Sequence, residues 1–223
     1  MIAADKMEFD GLLRRARESR RAEHRVRFAA EATLQNLTLV LLANGVGPAR
    51  AAACRAEGRF DAIVSTGFCG GTNPALRVGD IAAATEVRTD SRRFAASLPV
   101  GPTPAMTGPV VSQDRVAVTV EEKQRLGAGG AIAVEMEAAA VAAYAEESRT
   151  PFYCIRVVSD TAGEEMPIDF NAYRKEDGEF RRTAIALAAM RRPFSRIQAL
   201  RRLQRNCQIA TESLGVFLAD CRF

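Results

Sequence analysis

The chain has 223 residues, 48% of them hydrophobic and 26% charged, with a formal net charge of +4. That length suits one α/β domain with a sizeable core, and the composition excludes a collagen, a coiled coil or a disordered chain. Five cysteines in an odd set without CxxC spacing (Cys54, Cys69, Cys154, Cys207, Cys221) speak against a disulfide framework or a zinc ribbon. A lone histidine, His24, speaks against a Cys–His nucleophile pair or a multi-histidine metal site. The charge alone implies no nucleic-acid partner. Basic residues do gather at 14–27 and 191–205, and solvated helix faces are the preferred reading of both runs. No apolar h-region precedes Asp5 and Lys6, and no apolar run reaches the ~18 residues of a membrane span, so a cytoplasmic location is expected.

In chain order, residues 7–27 read as a basic helix with Leu12, Leu13 and Ala16 on one face. Residues 37–43 form a near-continuous apolar run, a strand buried on both faces. It ends in Asn44-Gly45-Val46-Gly47-Pro48, and Pro48 suits the first turn of a helix over 49–57. A strand at 62–66 runs into a glycine-rich loop, Gly67-Phe68-Cys69-Gly70-Gly71, and a strand follows around 78–87. Prolines 99, 102 and 104 make 90–107 a loop, and a short strand begins at Pro109. Residues 131–135 read as strand, 138–147 as an alanine-rich helix, 151–158 as the strongest strand, 164–173 as loop and 179–190 as helix. An amphipathic helix or helix pair follows Pro193. The alternation predicts a single three-layer α/β domain over 1–223, with a central mixed, mostly parallel sheet flanked by helices. Ligands of such sheets sit beyond the carboxyl ends of strands, which selects Gly45 to Gly47, Gly67 to Gly71, Glu135 to Glu137, and Ser159 with Asp160.

Asp160 follows the buried run Cys154 to Ser159. A carboxyl group there is partly desolvated and can serve as an acid, and a helix N-cap or turn role carries equal weight. Arg156 is a cation inside an apolar strand, so it needs an anionic or polar partner: a structural salt bridge, or an anion or water site at the strand end. In Glu135-Met136-Glu137 one carboxylate can accept sugar hydroxyls. First-turn acidity favoured by the helix dipole is the stronger reading from spacing alone. Gly45-Val46-Gly47 lacks the third glycine of a dinucleotide fingerprint and the Lys-Ser/Thr of a P-loop.

Taken together, the segments resemble the nucleoside phosphorylase and nucleosidase superfamily. Ala133-Val134-Glu135-Met136-Glu137-Ala138 is similar to the ribose-binding segment of methylthioadenosine/S-adenosylhomocysteine nucleosidases. Residues 151–160 resemble their catalytic strand, and 65–71 with 76–81 their glycine-rich loop and the following strand. Ala4 to Phe9 resembles their opening acidic motif. The resemblance implies cleavage of the bond between a purine and ribose, with no metal or organic cofactor. Asp160 would protonate the purine at N7, oriented by Ser159. Glu137 would bind the ribose hydroxyls, with Met136 packed on the sugar. Glu8 and Arg156 would hold the nucleophile near the anomeric carbon, where the transition state resembles an oxocarbenium ion. Phe68, Cys69, Gly70 and Val116 would line the substrate site. A small-molecule purine nucleoside is the implied partner, and a homodimer or larger homo-oligomer the implied assembly.

The chain departs from this family at Phe68, where a small polar residue is usual, and at Arg115-Val116-Ala117, where an aromatic often stacks on the base. Its Gly-Phe-Cys-Gly form looks closest to the hopanoid-associated phosphorylases, which implies an adenosine with a large apolar 5′ group such as adenosylhopane. The nucleophile is water or, as co-substrate, phosphate. Val64 and Ser65 stand where superfamily phosphorylases carry an arginine, leaving Arg156 and the amides of Gly45 and Gly47 as phosphate ligands. A non-catalytic nucleoside- or nucleic-acid-binding protein, using the basic run 191–205, is the alternative of another class.

Overall fold

The computed structural model describes residues 1–173 and 193–223, the side chains of 193–197 excepted. The helix expected at 179–190 and the start of the basic run at Arg191 lie outside the described residues. Ten strands form one mixed sheet: β1 (Ile2–Ala3), β2 (Glu18–Arg21), β3 (Phe28–Leu34), β4 (Leu37–Ala43), β5 (Ile63–Gly71), β6 (Ile81–Arg88), β7 (Arg93–Ala95), β8 (Met106–Ser112), β9 (Ala133–Glu135) and β10 (Phe152–Asp160). The α-helices are α1 (Asp10–Leu13), α2 (Pro48–Ala52), α3 (Val120–Ala128), α4 (Ala138–Ser148) and α5 (Pro193–Asp220), and a 3₁₀ turn over Lys6–Phe9 leads into α1.

Strand β5 organises the sheet. It runs parallel to β10 from Ile63 to Gly70 and to β1 at Ser65, and its last two residues pair antiparallel with β9 (Gly70 opposite Val134, Gly71 opposite Ala133). Strands β5, β10, β6, β8 and β9 therefore close into a barrel-like ring, and β1, β4, β3 and β2 extend from it as an open wing. The segment read as a glycine-rich loop is thus the second half of a nine-residue strand. The sheet is mixed, as expected, but not mostly parallel: among the described residues five strand pairs are parallel and five antiparallel. The β2–β3–β4 meander and the return of β9 along β5 supply much of the antiparallel share, because tight connections reverse the chain without a crossover helix.

The basic helix expected over 7–27 is also corrected. Helix α1 ends after Leu13, and Glu18–Arg21 is an edge strand exposed at every position. Charged side chains on such an edge keep it from pairing with other chains. Arg20 sits opposite Glu31 of β3 and bonds to it at 2.5 Å, so the cross-strand pair takes up a residue that helical spacing would have left on a solvated face.

Period-2 alternation sends side chains to both faces. Ile2, Leu42, Ile63, Cys154 and Val158 pack towards α2 and α4, where Ala138, Val141, Ala142 and Ala145 form a buried stripe at helical spacing. Ala3, Leu41, Val64, Ile155 and Val157 pack with Phe9 of the 3₁₀ turn and with Leu12, Leu214, Phe217 and Leu218 of α1 and α5. Those helices meet glycine to glycine: a β-carbon on Gly215 would lie 2.2 Å from the Gly11 carbonyl carbon. This approach seats the turn before α1, and with it Glu8, against Gly67 and Phe68 in the middle of β5.

Candidate active site

Glu8 is placed by a capping arrangement. Asp5 caps the 3₁₀ turn by accepting from Met7 N (3.0 Å), and the Glu8 carboxylate reaches back to accept from Ala4 N (2.8 Å) and Asp5 N (2.9 Å). Its other oxygen accepts from Phe68 N at 2.7 Å, which ties the N-terminal turn to β5. Burial pushes the Glu8 carboxyl above its ordinary range, against the pull of these amides and of Arg156.

Arg156 and Glu135 form a fully buried ion pair. Arg156 also donates to Thr66 O (2.8 Å) and Ser65 Oγ (2.7 Å), while Glu135 accepts from the amides of Glu137 and Ala138 at the start of α4. Glu135, the last residue of β9, thus lies ahead of the helix rather than in its first turn, where its carboxylate meets the amides at the start of α4 and supplies the partner that Arg156 requires. Arg156 sits behind the cavity rather than in its wall. Glu137, the next carboxylate, is buried and accepts from Gly47 N at 2.7 Å. Burial and then the nearby Glu135 raise its pKa to about 8, with Arg156 pulling the other way. The amides expected to be free for phosphate are spent inside the protein: Gly47 N on Glu137, and Gly45 N on Ala4 O at 2.8 Å.

Asp160 ends β10. Its Oδ1 accepts from Ser159 Oγ (2.8 Å) and its Oδ2 from Lys123 Nζ (2.5 Å). Burial raises its pKa, and Lys123 is the main opposing influence. Lys123, the buried partner of Asp160, was not legible from the spacing, and neither was α3 itself. A signal was present: Thr119 followed three residues later by Glu122 is a capping-box signature, and Thr119 does cap α3 by accepting from Glu122 N at 3.2 Å.

These groups meet around a cavity of about 190 Å³. Its wall includes nine of the ten residues to which the family resemblance gives a site role: Glu8, Phe68, Cys69, Gly70, Val116, Met136, Glu137, Ser159 and Asp160, all but Arg156. Val116 is fixed from outside, its amide donating to Asn171 Oδ1 (2.8 Å) and its carbonyl accepting from Asn171 Nδ2 (3.0 Å). A larger cavity of about 690 Å³ lies elsewhere, lined by residues such as Leu37, Phe60, Tyr144 and Phe223 with Arg59, Asp61 and Arg222. It contains none of the predicted site residues, so size alone does not locate the chemistry. Among the described residues of the second basic run, Arg202 pairs with Glu164 at 3.4 Å, and Arg201 and Arg205 face solvent. No helix among the described residues is long and apolar enough to cross a membrane.

The chain that builds this site belongs to the phosphorylase superfamily, whose family model matches residues 1–101 and 90–191. Within the superfamily it is similar to the 5′-methylthioadenosine/S-adenosylhomocysteine nucleosidase of Colwellia psychrerythraea, with 28% identity over 78% of this chain and 87% of that protein. The protein of the same name from Anoxybacillus flavithermus is 30% identical over 63% of this chain and 75% of its own length. The fold matches the crystal structure of the Neisseria meningitidis nucleosidase in complex with methylthio-immucillin-A, at a TM-score of 0.72 and 23% identity, over 98% of this chain and 95% of that one.

Proposed function

We propose that the chain is a nucleosidase that hydrolyses the N-ribosidic bond of an adenosine-type nucleoside, with methylthioadenosine and S-adenosylhomocysteine as the first substrates to try. The observation that carries this reading is the convergence of Asp160, Glu8 and Glu137 on one cavity. A binding protein needs no buried acid facing two further carboxylates, and the relatives are nucleosidases by name.

In this reading Glu8 orients a water against C1′ and takes its proton as the C1′–O bond forms. The C1′–N9 bond breaks with its electron pair going to the base, and Asp160 gives its proton to N7, so that neutral purine leaves. General-acid assistance of this kind contributes roughly 10²–10⁴-fold. Glu137 accepts the ribose hydroxyls, Met136 packs on the sugar and Ser159 orients Asp160. Arg156 acts from behind the wall, holding Glu135 and with it the start of α4. The chemistry needs no metal or organic cofactor.

Water rather than phosphate is favoured because the Gly45 and Gly47 amides are engaged and, among the described residues, the one arginine in the cavity wall, Arg115, pairs with Glu122. Val46, Phe68, Val116 and Met166 give the wall an apolar character, which suits an apolar 5′ substituent: a methylthio group, or a larger one of the adenosylhopane kind. A homodimer or larger homo-oligomer and a cytoplasmic location are part of the proposal, and sedimentation velocity tests the first.

The experiment is product analysis with methylthioadenosine and with an adenosine bearing a long 5′ alkyl group, in buffers with and without phosphate. Adenine with free sugar in phosphate-free buffer is the expected result. Adenine released only with phosphate, alongside a sugar 1-phosphate, would replace hydrolysis by phosphorolysis.

A further inference from the structure

Lysine is almost never fully buried without a partner, because removing its charge from water costs several kcal/mol. Lys123 has no exposed surface at all. Its Nζ donates to three oxygens: Asp160 Oδ2 at 2.5 Å, Thr161 O at 2.9 Å and Glu164 O at 2.8 Å. Three acceptors match the three N–H bonds of an ammonium group. The location does not serve the helix. Lys123 is the fourth residue of α3, near the positive end of the helix dipole, where a cation is disfavoured. What the position offers instead is reach to the end of β10. Gly70 keeps that space open, since a β-carbon there would lie 3.0 Å from Asp160 Oδ2 and 3.5 Å from Lys123 Cε.

We propose that Lys123 is a positioning residue that sets the acid strength of Asp160, orienting its carboxyl group and compensating the negative charge left on it once its proton has passed to the purine. The inference rests on the nucleosidase reading above. The Asp160 O–H bond breaks as the N7–H bond forms, and the electron pair remains on the carboxylate, where Lys123 on Oδ2 and Ser159 on Oδ1 receive it. A buried carboxyl group without such a cation would hold its proton too tightly to give it up. Among the described residues, four titratable groups face Asp160: Lys123 of α3, Glu164 of the loop after β10, Cys69 of β5 and Cys207 of α5. Lys123 is the only cation among them and favours the ionised form, whereas Glu164 opposes it.

The test compares Lys123→Gln and Lys123→Met with the wild type in the pH dependence of adenine release. Because Asp160 acts in its protonated form, activity falls as pH rises through its pKa. Without the cation, that alkaline limb moves to higher pH by about 1 to 3 in both variants. The plateau kcat falls because the acid is weaker, and KM holds. Limbs that stay at the wild-type pH overturn the proposal, whatever happens to the rate. Lys123→Gln keeps a hydrogen-bond donor and so serves if the Met variant does not fold. A second readout needs no turnover: the protonated-carboxyl infrared band that Asp160→Asn removes titrates at higher pH in Lys123→Gln, or, if the proposal is wrong, at the wild-type pH. A wild-type protein that releases no adenine sinks the nucleosidase reading, and the infrared titration still decides the role of Lys123.

Discussion

Gly67 and Glu8 stand so close that a β-carbon on the glycine would fall 2.3 Å from Glu8 Oε1. The glycine also has φ +136°, in the region that L side chains rarely adopt, and Arg156 Nη1 lies 3.0 Å from the same point. Gly67 is therefore the cavity that the Glu8 carboxylate occupies. Gly67→Ala should displace Glu8 from the three amides that hold it, and a shift of about 1 Å in a catalytic group can cost on the order of 10²-fold in rate. Steady-state kinetics beside a thermal melt check this: the variant should lose activity out of proportion to its loss of folded protein, and a variant as active as the wild type would remove Glu8 from the mechanism.

Glu137 couples the site to the pH dependence of stability. Its folded pKa of about 8 lies above its ordinary 4.5, so the folded state keeps a proton that the unfolded chain releases between those values. Stability from this group is therefore lost as pH rises from about 4.5 to about 8. Glu8 and Asp160, raised in the same direction, add to the trend. Glu137→Gln should flatten the fall in unfolding free energy over that window, as read by urea denaturation at a series of pH values. An unchanged slope would contradict the buried, protonated state assigned to Glu137.

The Arg156–Glu135 pair should behave as a unit. Arg156→Leu leaves the Glu135 carboxylate buried with only amide donors, a change that typically costs about 3–5 kcal/mol. Arg156→Leu combined with Glu135→Leu removes both charges and should recover part of that loss. Denaturant unfolding of the two single variants and the double variant measures the coupling, and strict additivity would show that the pair does not act together.

Much of the site was legible in the sequence because its residues sit at the ends of strands whose apolar runs are unmistakable. β4 matches the run at 37–43, β10 begins within a residue of the one at 151–158, and α4 follows its alanine stripe. What was missed has a physical pattern. Phe28–Leu34 is alanine-rich, a weak strand signal that becomes β3 through pairing with β4. Helix α3 is polar along most of its length, so no apolar stripe announced it, and Lys123 went unnoticed with it. The extent of β5 was hidden by its three glycines, which usually mark a loop but here allow Glu8, Asp160 and β9 to approach the strand. The ring closure depends on long-range pairing of β5 with β9 and β10, which local periodicity does not encode.

The most direct test of the central claim is adenine release from methylthioadenosine by the wild type and Asp160→Asn side by side, with nucleoside affinity measured by calorimetry. The account predicts turnover by the wild type, a loss of roughly 10²–10⁴-fold in kcat for the variant, and a largely retained Kd. Binding by both proteins with turnover by neither would contradict it and leave a nucleoside-binding protein on an enzyme's fold.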